Sequence, residues 1–184
     1  MLTSDPFIVV TKIPLGSVPL HIQELCGEAA EKYGIPVEIL MAIVQKETGG
    51  TYNPTAYNPE SGANGLMQFM PDTWEAYKVD GDRDGEINIY SPADAIFSAA
   101  HYLSSLAGSK VDIKKDKDVV LAILAQYGGN STSTAALNYA NNVYLTALNF
   151  SQLDAMGLSG LVFPLSGMSL ANVNSAYGMR YHPI

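Results

Sequence analysis

The sequence predicts a mainly α-helical domain with little or no β-structure, and three observations carry that prediction. Apolar residues recur at three- and four-residue spacing through most of residues 20–150. Each such stretch is bracketed by helix stop and start chemistry, as where Gly34 is followed by Pro36. No convincing strand precedes residue 160, and 47% hydrophobic with 15% charged residues is the composition of a chain that buries a core.

In chain order, residues 1–19 hold Pro6, Pro14, Gly16 and Pro19 without a helical period and are expected to form an extended lead-in. A first helix is expected from His21 to Gly34 and a second from Pro36 to Thr48. Residues 49–65, rich in Gly, Asn, Pro and Tyr, are expected to form a loop. A short helix opens at Pro71, where Asp72 and Glu75 have capping-box spacing. An acidic, glycine-containing loop covers 80–90. The next helix spans 91–106, with Pro92 at its first position and Asp94 in its first turn. Two more helices are expected at 116–127 and 133–150. After Asn149 the composition shifts: residues 151–161 read as a linker, and 162–184 as the start of a second unit too short to bury a core alone. The main domain is therefore placed at 20–150.

A net charge of −8 argues against nucleic-acid binding, which relies on Lys and Arg against phosphate. It fits a neutral or weakly charged partner such as a sugar polymer. No apolar stretch approaches the roughly 18 residues of a membrane span. The run from Phe7 to Val10 is too short for a signal-peptide core and follows no basic region, so no signal peptide is expected. With Cys26 as the only cysteine, an internal disulfide and a thiol-based metal site are excluded, and its apolar helical surroundings predict a buried structural residue. His21 and His101 lie on predicted helices without ligand spacing and are read as structural.

Glu47 stands out. The helix from Pro36 has apolar residues at 37, 40, 41, 43 and 44, and at about 100° per residue Glu47 lies one turn beyond Ile43 and Val44, on the core-facing stripe. Glu38 points the opposite way. Burial without a cationic partner, and the partial negative charge at a helix C-terminus, both raise a carboxyl pKa. That is what a general acid near neutral pH requires. On the residues alone, a helix-end cap or salt bridge remains an alternative for this glutamate.

The wider pattern runs through Glu47-Thr48-Gly-Gly, Tyr52-Asn53-Pro54, Gly65-Leu-Met67-Gln68-Phe-Met-Pro71, Ala125-Gln-Tyr127-Gly-Gly-Asn130 and Asn138-Tyr139-Ala-Asn-Asn-Val143. Across about 20–150 it resembles the soluble lytic transglycosylase family of lysozyme-like enzymes. The resemblance implies a lysozyme-like fold and cleavage of the bond between N-acetylmuramic acid and N-acetylglucosamine in peptidoglycan glycan strands. It further implies a 1,6-anhydro product and no required cofactor. Glu47 would act as acid and then base, Thr48 would orient it, Gln68 and Tyr127 would hold the acetamido group and the developing charge, and Met67 and Tyr139 would line the sugar cleft. The pattern departs from the family at Gly128, where Asn usually follows the tyrosine; Asn130 lies two residues on. A second carboxylate at Glu60 or Asp72 would turn the reaction toward hydrolysis, as in goose-type lysozymes. A silent wall-binding or tail-structural module is the alternative of another class.

Two further segments carry chemistry. Asp80-Gly-Asp82-Arg-Asp84-Gly85-Glu-Ile-Asn88 matches the first half of an EF-hand loop, with oxygen ligands at alternate positions, but Ser91 occupies the place of the bidentate glutamate. A structural calcium at Asp80, Asp82, Asp84 and Asn88 and a solvated acidic turn are both open. The stretch Phe163-Pro-Leu-Ser-Gly167 with Ser175–Ile184 resembles the opening of LytM-like zinc endopeptidases, which would make His182 a first zinc ligand. The remaining ligands have no counterpart, so no zinc is expected here. Together the two resemblances imply a monomeric piece of a larger, bifunctional lysin acting at the bacterial wall from outside, secreted or virion-associated, as in a phage tail.

Overall fold

The computed structural model describes residues 18–129 and 131–155. Most of the lead-in, the later linker, the LytM-like stretch with His182, and Asn130 lie outside them. The described residues form six helices: α1 (Leu20–Tyr33), α2 (Val37–Thr48), α3 (Pro71–Tyr77), α4 (Pro92–Ala107), α5 (Lys117–Tyr127) and α6 (Thr134–Ala155). No strand forms among them, only isolated bridges pairing Asn64 with Tyr57 and with Phe69. The predicted helical class and all six helices are observed.

Local chemistry sets the boundaries. Gly34 takes a left-handed φ of 70° and donates its N–H to Ala30 O, closing α1. Gly49 does the same for α2 at φ 57°. Ser91 caps α4 by accepting the Asp94 N–H on its hydroxyl, with Pro92 inside the first turn. The capping box expected at α3 does not form. Pro71, with its fixed φ, is the first residue of the helix, so the cap falls at Met70, two residues before Asp72, which lies exposed within the first turn. Helix α6 runs five residues past its expected end, into the predicted linker, because Ser151-Gln-Leu-Asp-Ala155 holds no glycine or proline.

Helix α2 is the axis of the molecule, packed against α1, α4 and α6. Its apolar pattern was expected to form one stripe. Instead Ile39, Leu40, Met41, Ala42, Ile43 and Val44 are all fully buried, so the helix is surrounded rather than laid on a surface. Each large aliphatic side chain buried this way contributes about 1.5–3 kcal/mol, which fixes the C-terminal end of α2, where Glu47 sits. Cys26 is fully buried, as expected, and burial pushes its thiol far up from the ordinary range. His101 packs between Tyr33 and Tyr77 with Nδ1 3.0 Å from Tyr77 O, a structural role; His21 is exposed.

Candidate active site

Three segments converge on Glu47. The first is the end of α2, which carries Glu47 itself, half-buried, with Thr48 behind it. The second is the loop between α2 and α3. There Asn64 and Phe69 exchange backbone hydrogen bonds of 3.0 and 2.9 Å, and Gly65 N–H donates to Ala56 O. Inside that clamp Leu66 and Met67 are buried anchors, and Gln68 adopts a left-handed φ of 49°, rare for a residue with a side chain. Its side-chain amide donates to Gly65 O at 2.9 Å and Ala56 O at 3.3 Å, which offsets that strain. The third segment is the α5–α6 junction, which supplies Tyr127 and Tyr139.

The two tyrosines tie the segments together. Tyr139 on α6 donates its hydroxyl to Glu47 Oε1 at 2.5 Å. Tyr127 at the end of α5 donates to Met67 O at 2.8 Å. Glu47 has its pKa raised, first by burial; the Tyr139 hydrogen bond and the positive charge of Lys46 pull it partly back. No second carboxylate among the described residues acts on it. Both tyrosines are pushed well above 10, by burial first and then by the charge of Glu47, so both remain proton donors.

Beside Gln68 and Tyr127 lies a pocket of about 160 Å³ that also includes Met70, Thr73, Tyr102 and Gln126. Tyr102 stacks near Tyr127, ring centroids 5.8 Å apart, and Phe69 meets Tyr127 edge-on at 6.2 Å. The pocket is an aromatic trough with amide groups at its rim, suited to a ring bearing both apolar and hydroxyl faces. A larger hollow of about 550 Å³ lies along α5 among Leu106, Leu121 and Leu137, but nothing ionisable lines it.

The transglycosylase SLT domain matches residues 24–145. This chain belongs to that family. It is 34% identical over 99 residues to membrane-bound lytic murein transglycosylase B of Escherichia coli, covering 54% of this chain and 23% of that protein. It is 28% identical over 157 residues to membrane-bound lytic murein transglycosylase C of Yersinia enterocolitica, covering 73% and 43%. With the transglycosylase of Enterobacteria phage PRD1 it shares 30% over 108 residues, 59% and 35% of the two chains. The chain thus spans less than half the length of these curated relatives. Among solved structures, the lytic transglycosylase Slt35 of Escherichia coli, in complex with calcium, superposes with a TM-score of 0.59 at 17% identity, covering 83% of this chain and 77% of that one. SltB1 of Pseudomonas aeruginosa does so at 0.56 and 22%, covering 82% of each. These two establish a shared fold.

As an SLT domain, the chain departs from the expected site at several residues. Thr48 donates its hydroxyl to Val44 O at 2.8 Å, one turn back along α2, so its proton is not available to Glu47. Met67 does not line the cleft. Its side chain is fully buried, and its contribution is the carbonyl that Tyr127 grips. Tyr139 does more than line a wall, since it holds the catalytic candidate directly. Glu60 and Asp72 are both exposed. Met70, Tyr102 and Gln126 had no signal in the sequence, because exposed or half-buried positions on helices and turns carry no local mark of a pocket.

Gly128 now has a physical reason. A Cβ there would fall 2.5 Å from Tyr139 Cδ1 and 2.8 Å from Cγ, so the Tyr139 ring occupies the space of any side chain at 128. Gly128→Ala is expected to push Tyr139 away from Glu47 and lower kcat about tenfold or more with the fold retained, read as turnover beside a circular-dichroism melt. Wild-type turnover with alanine in place would show that the ring contact does not position Tyr139.

Proposed function

We propose that this domain is a peptidoglycan lytic transglycosylase that cuts the bond from N-acetylmuramic acid to N-acetylglucosamine, with Glu47 as general acid and then base. The observation that carries the reading is one half-buried carboxyl with a raised pKa, held by a tyrosine, with no second carboxylate among the described residues acting on it. With Tyr139 donating to Oε1, the acidic proton of Glu47 is directed to Oε2. From there it passes to the leaving glycosidic oxygen as the C1–O bond breaks. The carboxylate that forms is stabilised by the same Tyr139 hydroxyl. Most glycosidases answer the oxocarbenium-like centre with a second carboxylate; here the substrate's own 2-acetamido group takes that role. Gln68 spends both amide protons on the loop, which leaves its carbonyl oxygen to accept the acetamido N–H. The C6 hydroxyl then attacks C1 and returns its proton to Glu47, closing the 1,6-anhydro ring without water. Mass analysis of digests of purified wall tests this: anhydro-muropeptides are expected, and reducing ends bearing one added water would assign a hydrolytic muramidase instead.

The acidic loop fits a structural calcium, with an altered ligand set. Carboxylate oxygens of Asp80, Asp82 and Asp94 lie within 4.8 Å of one another. Asp84 and Asn88 accept from Glu86 N and Tyr90 N at 2.8 and 3.0 Å, as Asp80 accepts from Arg83 N and Gly85 N at 2.6 and 3.0 Å, so the loop is held by its own side chains. Asp94, fully buried on α4, replaces the missing twelfth-position glutamate. It accepts from Gly81 N at 2.7 Å and from Asn88 N at 2.8 Å, drawing the loop onto the helix. Three converging carboxylates repel one another unless a cation neutralises them, and the calcium complex of the structural neighbour supports the same reading. Millimolar calcium is expected to raise the wild-type Tm by several degrees, and that of Asp94→Asn far less. Equal shifts in both would remove Asp94 from the site.

The likeness to a phage transglycosylase supports placing the domain in a wall-cutting protein that acts from outside the cell. The LytM-like stretch at 162–184, with His182, belongs to that proposal and lies beyond the SLT match.

A further inference from the structure

The basic residues of this chain are unevenly spread. Lys110, Lys114, Lys115 and Lys117 all fall between the end of α4 and the first residue of α5, on a chain of net charge −8. The loop that carries them is fixed from beneath. Val111 and Ile113 are buried, Val111 N–H donates to Gly34 O at 3.0 Å, and the Tyr144 hydroxyl donates to Ile113 O at 3.3 Å. With 111 and 113 turned inward, Lys110, Asp112 and Lys114 are turned out, and all three are exposed. The loop closes on the corner between α1 and α2, where Gly34 leaves room for Lys110: a Cβ at 34 would stand 3.3 Å from Lys110 Cα and Cβ. Between loop and corner lies a hollow of about 400 Å³, floored by Ile35, Pro36, Val111 and Ile113, with Lys110 and Lys114 also lining it. It begins at the start of α2, and Glu47 lies roughly 15 Å further along that helix.

The acids of the loop do not cancel its lysines. Asp112 Oδ1 accepts from Lys114 N and Lys115 N at 2.9 and 3.0 Å, and Asp116 Oδ2 accepts from Asp112 N at 2.8 Å, so both carboxylates staple the turn. Those backbone bonds hold the Asp112 carboxyl below its ordinary range. Lys115 Nζ reaches Asp112 Oδ2 at 3.6 Å, and Lys117 Nζ lies 5.8 Å from the centre of the Tyr144 ring. Lys110 and Lys114 form no ion pair among the described residues. The loop holds lysine and no arginine. An arginine fork suits the planar carboxylate, whereas an ammonium is a point charge that meets a tetrahedral phosphate from any side. The loop's own large apolar side chains, Val111 and Ile113, face inward, so it offers nothing to insert into a bilayer. Two unpaired ammonium groups beside a small apolar floor fit a flexible chain that alternates phosphates with short carbon links.

We propose that the hollow between the α4–α5 loop and the α1–α2 corner binds an anionic polyol phosphate polymer of the bacterial wall, with Lys110 and Lys114 facing its phosphates and the carbon links lying over Ile35 and Pro36. The site would hold the domain on the wall at a point separate from the cleft. It takes only the location at the wall from the proposed function, and its test needs no cleavage. The probe is a synthetic glycerol phosphate oligomer, titrated calorimetrically into the intact chain. The wild type is expected to bind it, and to do so several-fold more weakly at about 200 than at about 50 mM salt, as counterion release loses its advantage. Replacing both Lys110→Gln and Lys114→Gln is expected to lower the affinity about tenfold with the thermal melt unchanged. Lys46→Gln, which removes an exposed charge at the other end of α2, should bind as wild type does. Absence of binding by the wild type, an unchanged affinity in the double variant, or an equal loss in Lys46→Gln would each overturn the proposal. Phosphatidylglycerol vesicles or single-stranded DNA that compete as tightly as the oligomer would overturn it too, because the corner would then read charge alone.

Discussion

Glu47→Gln is expected to reduce clearing of purified peptidoglycan by at least about a thousandfold, since general acid–base catalysis contributes about 10²–10⁴ and the proposed mechanism gives both steps to this one side chain. The substitution is nearly isosteric and keeps an oxygen for the Tyr139 hydroxyl, so the loss cannot be assigned to misfolding. Its stability signature has a definite sign. The pKa of Glu47 in the folded chain lies above its ordinary value of 4.5. Between those two values the folded state holds a proton that the unfolded state has released. Wild-type stability therefore declines as pH rises through the folded value, where a charge must be kept in a half-buried site. Glutamine carries no such charge. The variant is thus expected to be more stable than wild type above the folded value, with the gap closing below the ordinary one. Wild-type kcat/KM should fall through that same raised value, because the donor must be protonated to act. Full-rate clearing by the variant would remove Glu47 from the chemistry.

That glutamate was legible because a helix has one period, and a carboxylate on an apolar stripe breaks it visibly. The helices were legible for the same reason, down to Gly34 and Pro92 as their punctuation. The Gly-Leu-Met-Gln turn follows no period. Nothing local could say that Met67 would be buried to the last atom while its carbonyl faced Tyr127, or that Gln68 would turn its amide onto Gly65 and Ala56. Asp94 was legible only as a first-turn acid, since Gly81 and Asn88, which it organises, lie in another segment. Thr48 shows the limit of family position as a guide: its hydroxyl had a carbonyl in its own helix within reach, and took it.

Gly65→Ala is expected to be the most damaging small substitution, because it joins the site to the acidic loop. Gly65 has a φ of 75°, and a Cβ there would stand 2.4 Å from Ile89 O. The left-handed conformation alone costs about 1 kcal/mol for a residue with a Cβ. The contact adds more, since a backbone carbonyl cannot rotate away as a side chain would. Neither partner can retreat freely. Gly65 N–H is held by Ala56 O at 2.8 Å, and Gly65 O receives Gln68 N at 3.2 Å and Gln68 Nε2 at 2.9 Å. On the other side, Asn88 N–H is fixed to the buried Asp94, and the Tyr90 hydroxyl reaches Asn64 Oδ1 at 3.3 Å. The strain must pass into Gln68 and the Met67 carbonyl held by Tyr127. A loss of about 2–4 kcal/mol is expected, roughly 5–15 °C in Tm, with turnover down about tenfold at temperatures where the fold survives. Gly62→Ala separates the causes, because Gly62 has a φ of 79° and nothing within 4 Å of its would-be Cβ. It should cost only the conformational part, about 1 kcal/mol, and leave turnover near wild type. Equal losses in the two variants would mean that the Ile89 carbonyl yields easily, and that the acidic loop does not brace the turn carrying Gln68.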